Sequence, residues 1–277
     1  MFLFNKIYRP ITARPFLSDK SYMEYPPCER LSPYVTCYWT EDGERVGKIG
    51  KENGILIIPD TCMDILVQIN HTRNTVSGGL CALQDEPGIA AARKGTDKIS
   101  YFAIRFYFWA ASLFIDHNFQ GTCNGMVELD ALGSDWKKLF DMFFYITDVN
   151  GRIVLTEEFL LRKLDGREVD PRLFNSVYKI LNTSGREAVK EVCEFACVSQ
   201  RQMERICLRE VGVPLKRISN LVRYQNVWKE MVLSRDFDVQ DAVYRYGYTD
   251  QPHLLKEFKR FHGLSPEEAR RFAYHNQ

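Results

Sequence analysis

The chain has 277 residues, 45% of them apolar and 26% charged, with a formal net charge of +1, a composition that suits a folded protein with two ordinary cores. No run approaches the ~20 uninterrupted apolar residues of a membrane span, and the start, Met1-Phe-Leu-Phe-Asn-Lys6, turns polar too soon for a signal peptide. These features exclude a helical membrane protein and place the chain in the cytoplasm, where its eight cysteines are expected as buried small side chains rather than disulfides.

The front of the chain reads as β-rich. Tyr34–Thr40 is a β-branched and aromatic run, Ile55–Pro59 a short buried strand, and Met63–Asn70 another, closed by a His71–Asn74 turn that leads into Thr75–Gly79. Ile99–Trp109 alternates, with Phe102, Ile104, Phe106 and Phe108 on one face and Arg105 on the other. Short strands with Gly-rich turns predict a small barrel or sandwich. Together with Tyr38, the four alternating residues are expected to line an effector pocket for an apolar or planar molecule, the alternative being a plain barrel core. Arg105 reads as solvated.

Helical patterns follow. Asp135–Tyr145, after the capping candidate Ser134, puts Trp136, Leu139, Met142 and Phe143 on one face. That face suits either a dimer contact or a helix laid on its own sheet. Thr156–Leu164 is a second amphipathic helix, and the polar stretch Asp165–Pro171 marks a boundary between a β-rich domain, 1–165, and a helical domain, 166–277. The first carries 18 Lys and Arg against 21 Asp and Glu, the second 19 against 15, a balance that suits nucleic acid as the partner of the second.

From Pro171 onward every element is predicted helical: Arg172–Asn182, Glu187–Phe195, Ser199–Val211, a long Pro214–Ser234, Val239–Tyr246, Asp250–His262, and a last helix opened by Ser265-Pro-Glu-Glu268. Two of these share a pattern. Ser199 and Asp250 are each followed at +4 by an apolar residue (Met203, Leu254), at +6 by a base (Arg205, Lys256), at +8 by a buryable residue (Cys207, Phe258) and at +13 by glycine (Gly212, Gly263). The caps and left-handed stops define two short helices.

A helix-turn-helix lays its second helix in the major groove. In the first copy Met203, Ile206, Cys207 and Val211 face inward, leaving Arg201, Gln202, Glu204 and Arg205 for base edges. In the second, Leu254, Phe258 and Phe261 face inward, and Gln251, His253 and Lys256 project near the N-terminus. Lys259 and Arg260, with the helix starts at Ser199 and Asp250, suit phosphates. The connecting helix, roughly 30 Å long at ~1.5 Å per residue, approximates the duplex repeat of ~34 Å.

The run Val239-Gln-Asp-Ala-Val-Tyr-Arg-Tyr-Gly247 through Asp250-Gln-Pro-His-Leu-Leu-Lys-Glu-Phe258 to Gly263-Leu-Ser-Pro266 resembles the signature of AraC/XylS-type transcription regulators, and the resemblance covers about residues 170–274. It implies an α+β chain: a β-rich sensing or dimerising domain with flanking helices, then an all-α domain of two helix-turn-helix units joined by a long helix. It also implies a sequence-specific regulator, usually an activator, with base-reading positions at Arg201, Glu204, Arg205, Gln251, His253 and Lys256. The chain departs at Cys207, where that family carries Phe, and places Pro252 in the first turn of the second reading helix, where proline is tolerated. In the front half, Pro59-Asp-Thr-Cys-Met-Asp64 and Phe102-Ala-Ile-Arg-Phe106 resemble a sensor domain of some of these regulators without naming a ligand.

The partners implied are double-stranded DNA, a small-molecule effector and RNA polymerase, with a second copy of the chain as a candidate and no membrane. No cofactor is expected. Cys193 and Cys197, four apart, have no further ligands nearby, His71 and His117 have no ligand pattern, and no catalytic set appears, so neither metal nor catalysis is expected. Two rivals remain open: a cysteine-based alkylation or thiol-stress sensor or repair enzyme fused to the same reader, and a partner-binding protein that no longer binds DNA.

Overall fold

The computed structural model describes residues 4–16, 21–42, 48–49, 52–91 and 96–274; Met1, Phe2 and Leu3 of the start lie outside them. A short helix, α1 (Phe4–Ile7), precedes β1 (Tyr22–Tyr25), β2 (Val35–Asp42), β3 (Lys48–Ile49), β4 (Glu52–Ile57), β5 (Cys62–Asn70), β6 (Thr75–Cys81), β7 (Gly88–Ala91) and β8 (Ile99–Tyr107). Helix α2 (Ala111–Phe114) and β9 (Met126–Glu128) follow. One antiparallel sheet runs β1-β2-β8-β5-β6-β9, and β3, β4 and β7 form a second.

Alternation sorts the large sheet into two unlike faces. On β5, Met63, Ile65, Val67 and Ile69 are wholly buried on one face while Asp64, Leu66 and Gln68 are half-buried on the other. The closed face is covered by α3 (Ser134–Asp141), the 3-10 turn Met142–Phe144 and α4 (Val149–Leu164). Phe102 meets Phe143 edge-on with centroids 5.0 Å apart, and Phe106 stacks on Phe114 of α2 at 5.1 Å. Trp136, Leu139, Phe140 and Phe143 are buried, so this helix lies on its own sheet. Met142, expected inward, points out because the helix tightens into a 3-10 turn there. Helix α4 starts earlier than its apolar pattern suggests because Asp148 caps it, accepting from the Gly151 amide at 2.7 Å.

Behind an Asp170 cap come α5 (Pro171–Asn182), α6 (Val189–Phe195), α7 (Gln200–Val211), α8 (Leu215–Leu233), α9 (Val239–Tyr246), α10 (Gln251–His262) and α11 (Pro266–Tyr274). The chain is therefore α+β, a β-rich half with flanking helices followed by an all-α half. Helix α8, with 19 residues and about 28 Å long at ~1.5 Å per residue, is the spine against which α5, α7, α9, α10 and α11 all lie. No helix among the described residues is long and apolar enough to cross a membrane.

Candidate DNA interface and effector cavity

Helices α7 and α10 are built alike. Ser199 Oγ accepts from the Gln202 amide at 3.3 Å and Asp250 Oδ1 from the His253 amide at 2.8 Å, while Gly212 (φ 88°) and Gly263 (φ 79°) end the helices in the left-handed region. Burial of Met203, Ile206, Cys207 and Val211 leaves Arg201, Glu204 and Arg205 exposed and Gln202 half-buried. Burial of Leu254, Phe258 and Phe261 leaves Gln251, His253, Lys256, Lys259 and Arg260 exposed. The His253 ring is oriented by the Thr249 amide, 3.4 Å from Nδ1, and lies edge-on to Tyr248 at 5.3 Å.

The helix starts differ from expectation in one respect. The Asp250 carboxylate itself occupies the N-terminus of α10, where a phosphate was expected, and like charges exclude each other there. Pro252 has no amide to give, so Gln251 is the residue left to offer one; on α7, Gln200 and Arg201 precede the capped amide.

Buried polar contacts fix α10 on α8. Arg223 donates to Glu257 Oε1 at 3.0 and 2.8 Å and to Oε2 at 2.8 Å, Tyr248 O–H donates to the same carboxylate at 2.8 Å, and the guanidinium lies 4.2 Å from the Tyr248 ring centroid. His262 sits between Trp228 and Phe258, its Nδ1 2.9 Å from the Tyr224 hydroxyl, and burial lowers its pKa to about 3.

The front half touches the reader at both repeated glycines. A Cβ on Gly212 would stand 2.8 Å from the Phe119 carbonyl oxygen, and one on Gly263 would stand 3.2 Å from the Pro87 ring. A third tie reaches α8. Gln225 accepts from the Ile11 amide at 2.9 Å and donates to the carbonyls of Ile11 (3.2 Å) and Pro59 (2.7 Å), and Trp228 Nε1 donates to the Thr12 carbonyl at 2.9 Å.

A cavity of about 600 Å³ lies on the mixed face of the large sheet, walled by β4, β7 and the segment Thr12–Pro15. Its floor follows from the strand register. Cys37, Arg105, Asp64 and Cys81 stand in one row across β2, β8, β5 and β6, and Trp39, Ala103, Leu66 and Gly79 in the next. Arg105 donates through Nε to both Asp64 oxygens (3.0 and 3.2 Å) and through Nη2 at 2.9 Å, and its Nη1 lies 3.8 Å from Asp60 Oδ2. Trp39 Nε1 donates to Asp64 at 3.0 Å. Burial pulls Arg105 towards neutrality, but Asp64 and Asp60 outweigh it and keep the guanidinium charged. Burial raises the Asp60 pKa against the opposing pull of Arg105.

Residues 192–271 match the family model described as a helix-turn-helix domain, on the stretch that carries both capped helices. The match makes this stretch a helix-turn-helix domain. Ahead of that stretch, residues 23–127 match a domain of unknown function, DUF6597. No curated protein matches the chain. Among solved structures, ToxT from Vibrio cholerae O395 is similar at 13% identity and TM-score 0.40, over 92% of this chain and 99% of that one. A P21 crystal form of Vibrio cholerae ToxT gives 12% and 0.41 over 91% and 99%. Unsaturated fatty acid bound ToxT from strain SCE256 gives 10% and 0.38 over 94% and 98%.

The residues expected to line an effector pocket do not line this cavity. Tyr38, Phe102, Ile104, Phe106 and Phe108 are at most 1% exposed and belong to the closed core under α2, α3 and the 3-10 turn. The cavity belongs to the opposite face, and Arg105, expected in solvent, is on its floor. The sequence signal for it was a lone arginine in an apolar strand together with Asp64 in a second one and Asp60 just before that strand. The contacts of Gln225 and Trp228 on α8 with Ile11 and Thr12 had no sequence signal. Six of the eight thiols are poor candidates for a reactive cysteine. Burial raises Cys37, Cys62 and Cys193 above the ordinary range and Cys81, Cys123 and Cys207 to about 12, so they stay protonated and poorly nucleophilic. Cys193 is buried, whereas Cys197 is exposed with φ 53°, forming the turn between α6 and α7.

Proposed function

We propose that the chain is a sequence-specific transcription regulator, an activator, in which residues 166–277 read DNA and residues 1–165 bind a small-molecule effector. The observation that supports it most is the pairing of two capped helices on one 19-residue spine, each presenting exposed polar side chains over its first two turns. On this reading Arg201, Gln202, Glu204 and Arg205 contact one stretch of major groove, and Gln251, His253 and Lys256 the next. The unlike chemistry of the two sets calls for an asymmetric site. Lys259, Arg260 and the Ser199 helix start contact phosphates, and Asp250 serves as a cap. An activator of this kind acts on RNA polymerase; a second copy of the chain is the remaining candidate partner.

The ties at Gln225 and Trp228 give the effector a route to the reader. Thr12 is a cavity wall residue whose carbonyl Trp228 holds, and Pro59, whose carbonyl Gln225 holds, immediately precedes Asp60. The test is selection of bound fragments from random duplexes with the full chain. Enrichment of one asymmetric motif supports the proposal, and a binder with no enriched motif refutes it.

A further inference from the structure

We infer that the cavity takes an organic cation, a protonated or quaternary amine carried on a flat apolar body. This rests on the reading of the cavity as the effector site. Its floor has spent its donors and kept acceptors. The Arg105 guanidinium is committed to Asp64 on two nitrogens and faces Asp60 with the third. The Trp39 N–H goes to Asp64, and the Tyr22 O–H goes to Glu24 at 2.5 Å. Asp60 Oδ1 accepts from the Cys62 amide at 3.0 Å, but its Oδ2 has only the 3.8 Å ion pair among the described residues. A ligand entering here therefore meets a partly satisfied carboxylate oxygen and no comparable donor on the floor.

The walls suit the rest of such a molecule. The indole of Trp39 and the phenol of Tyr22, 5.7 Å apart, line the cavity with aromatic surface. Leu66 and Ile55 supply apolar surface, and the volume falls in the range of small-molecule sites, roughly 300–1,000 Å³. The lining sets four carboxylates, Asp60, Asp64, Glu24 and Glu41, against two guanidiniums, Arg105 on the floor and Arg14 on the wall, an acidic balance that disfavours a carboxylate ligand.

Three compounds that share one ring system and differ in charge decide the matter: 1-naphthylmethylammonium, 1-naphthylmethanol and 1-naphthoate, titrated calorimetrically into the full chain at neutral pH. The ammonium is expected to bind about ten- to a hundredfold more tightly than the alcohol, the advantage of a charge-assisted hydrogen bond, with naphthoate weakest. Asp60→Asn should remove that advantage and bring the ammonium to the alcohol's affinity, while Leu66→Trp, which fills the cavity, should abolish all three. Naphthoate or the alcohol binding best, in a manner that Leu66→Trp removes, overturns the cation class and leaves the effector cavity standing. No binding that Leu66→Trp removes overturns both. The order of the three affinities in the unmodified chain stands as a test even if Asp60→Asn does not fold.

Discussion

Replacing Glu257 with Gln tests whether charge holds the second reading helix on its spine. The side chains of Arg223 and Glu257 are only 6% and 10% exposed, and among the described residues the guanidinium has no other ion pair. The amide keeps the shape and the bond from Tyr248 but leaves a buried cation facing one aromatic ring. Breaking a buried pair from one side costs ~3–5 kcal/mol, whereas a surface pair such as Lys190–Glu194, 73% and 65% exposed, contributes less than ~1 kcal/mol. Urea unfolding followed by circular dichroism should therefore show a loss of ~3–5 kcal/mol for Glu257→Gln and almost none for Lys190→Ala. The double change Arg223→Met with Glu257→Leu removes both charges and should recover much of the loss. Footprinting of the single variant should lose protection over the half-site read by α10 before the half read by α7. A loss below ~1 kcal/mol for Glu257→Gln would mean that the pair is effectively solvated, and the reasoning would fail.

Three further outcomes follow from the same geometry. Arg205→Ala should relax preference at one base position at a cost of ~1–3 kcal/mol in binding, while Lys259→Ala should weaken all duplexes alike and flatten the salt dependence; equal losses on every sequence for both variants would refute the division between base and phosphate contacts. Gln225→Leu removes the acceptor of the Ile11 amide and the amide donor to the Ile11 and Pro59 carbonyls, so amide exchange at Ile11 should quicken by about tenfold or more, and an unchanged rate would show that the tie is not what protects it. His262 has a folded pKa of about 3, below its unfolded value of ~6.5, so the unfolded chain takes up the proton first. Its contribution is complete above ~6.5 and is lost as pH falls from there towards 3, which makes the protein about 2 kcal/mol less stable at pH 5 than at pH 7; His262→Gln should flatten that slope in urea titrations, and an unaltered slope would refute the assignment.

The helical half was legible because its determinants are local. Ser199, Asp250, Gly212, Gly263 and the Ser265 capping box write helix starts and stops within a few residues of where they act, and Ser265 and Glu268 do exchange bonds at both backbone amides. The β-rich half was legible as strands but not as a site. Alternation in Ile99–Tyr107 distinguishes the face of Phe102 from that of Arg105, yet does not say which face a helix will cover. The aromatic face is the one taken by Phe114 and Phe143, and the space is left on the face where Ala103 is small and Arg105 needs Asp64. The pairing of Asp64 with Arg105 across β5 and β8 joins the two motifs that read separately as sensor-like. Contacts between residues more than two hundred positions apart, such as Ile11 with Gln225, leave no periodic trace at all.

The repeated glycines carry a second constraint that their capping role does not require. A left-handed stop needs glycine for its backbone alone, but Gly212 and Gly263 are also where Phe119 and Pro87 of the front half come within contact of α7 and α10. Both capped helices thus end against the β-rich half, while their polar N-terminal turns stay exposed. Gln225 and Trp228 hold the spine between them to Ile11, Thr12 and Pro59. Under the proposed function, the effector's differential contact with the cavity lining is the free energy that shifts the readers, and contact with Asp60 enters one residue from the Gln225 tie. A ligand that binds the cavity without moving either segment would leave DNA affinity unchanged however tightly it bound.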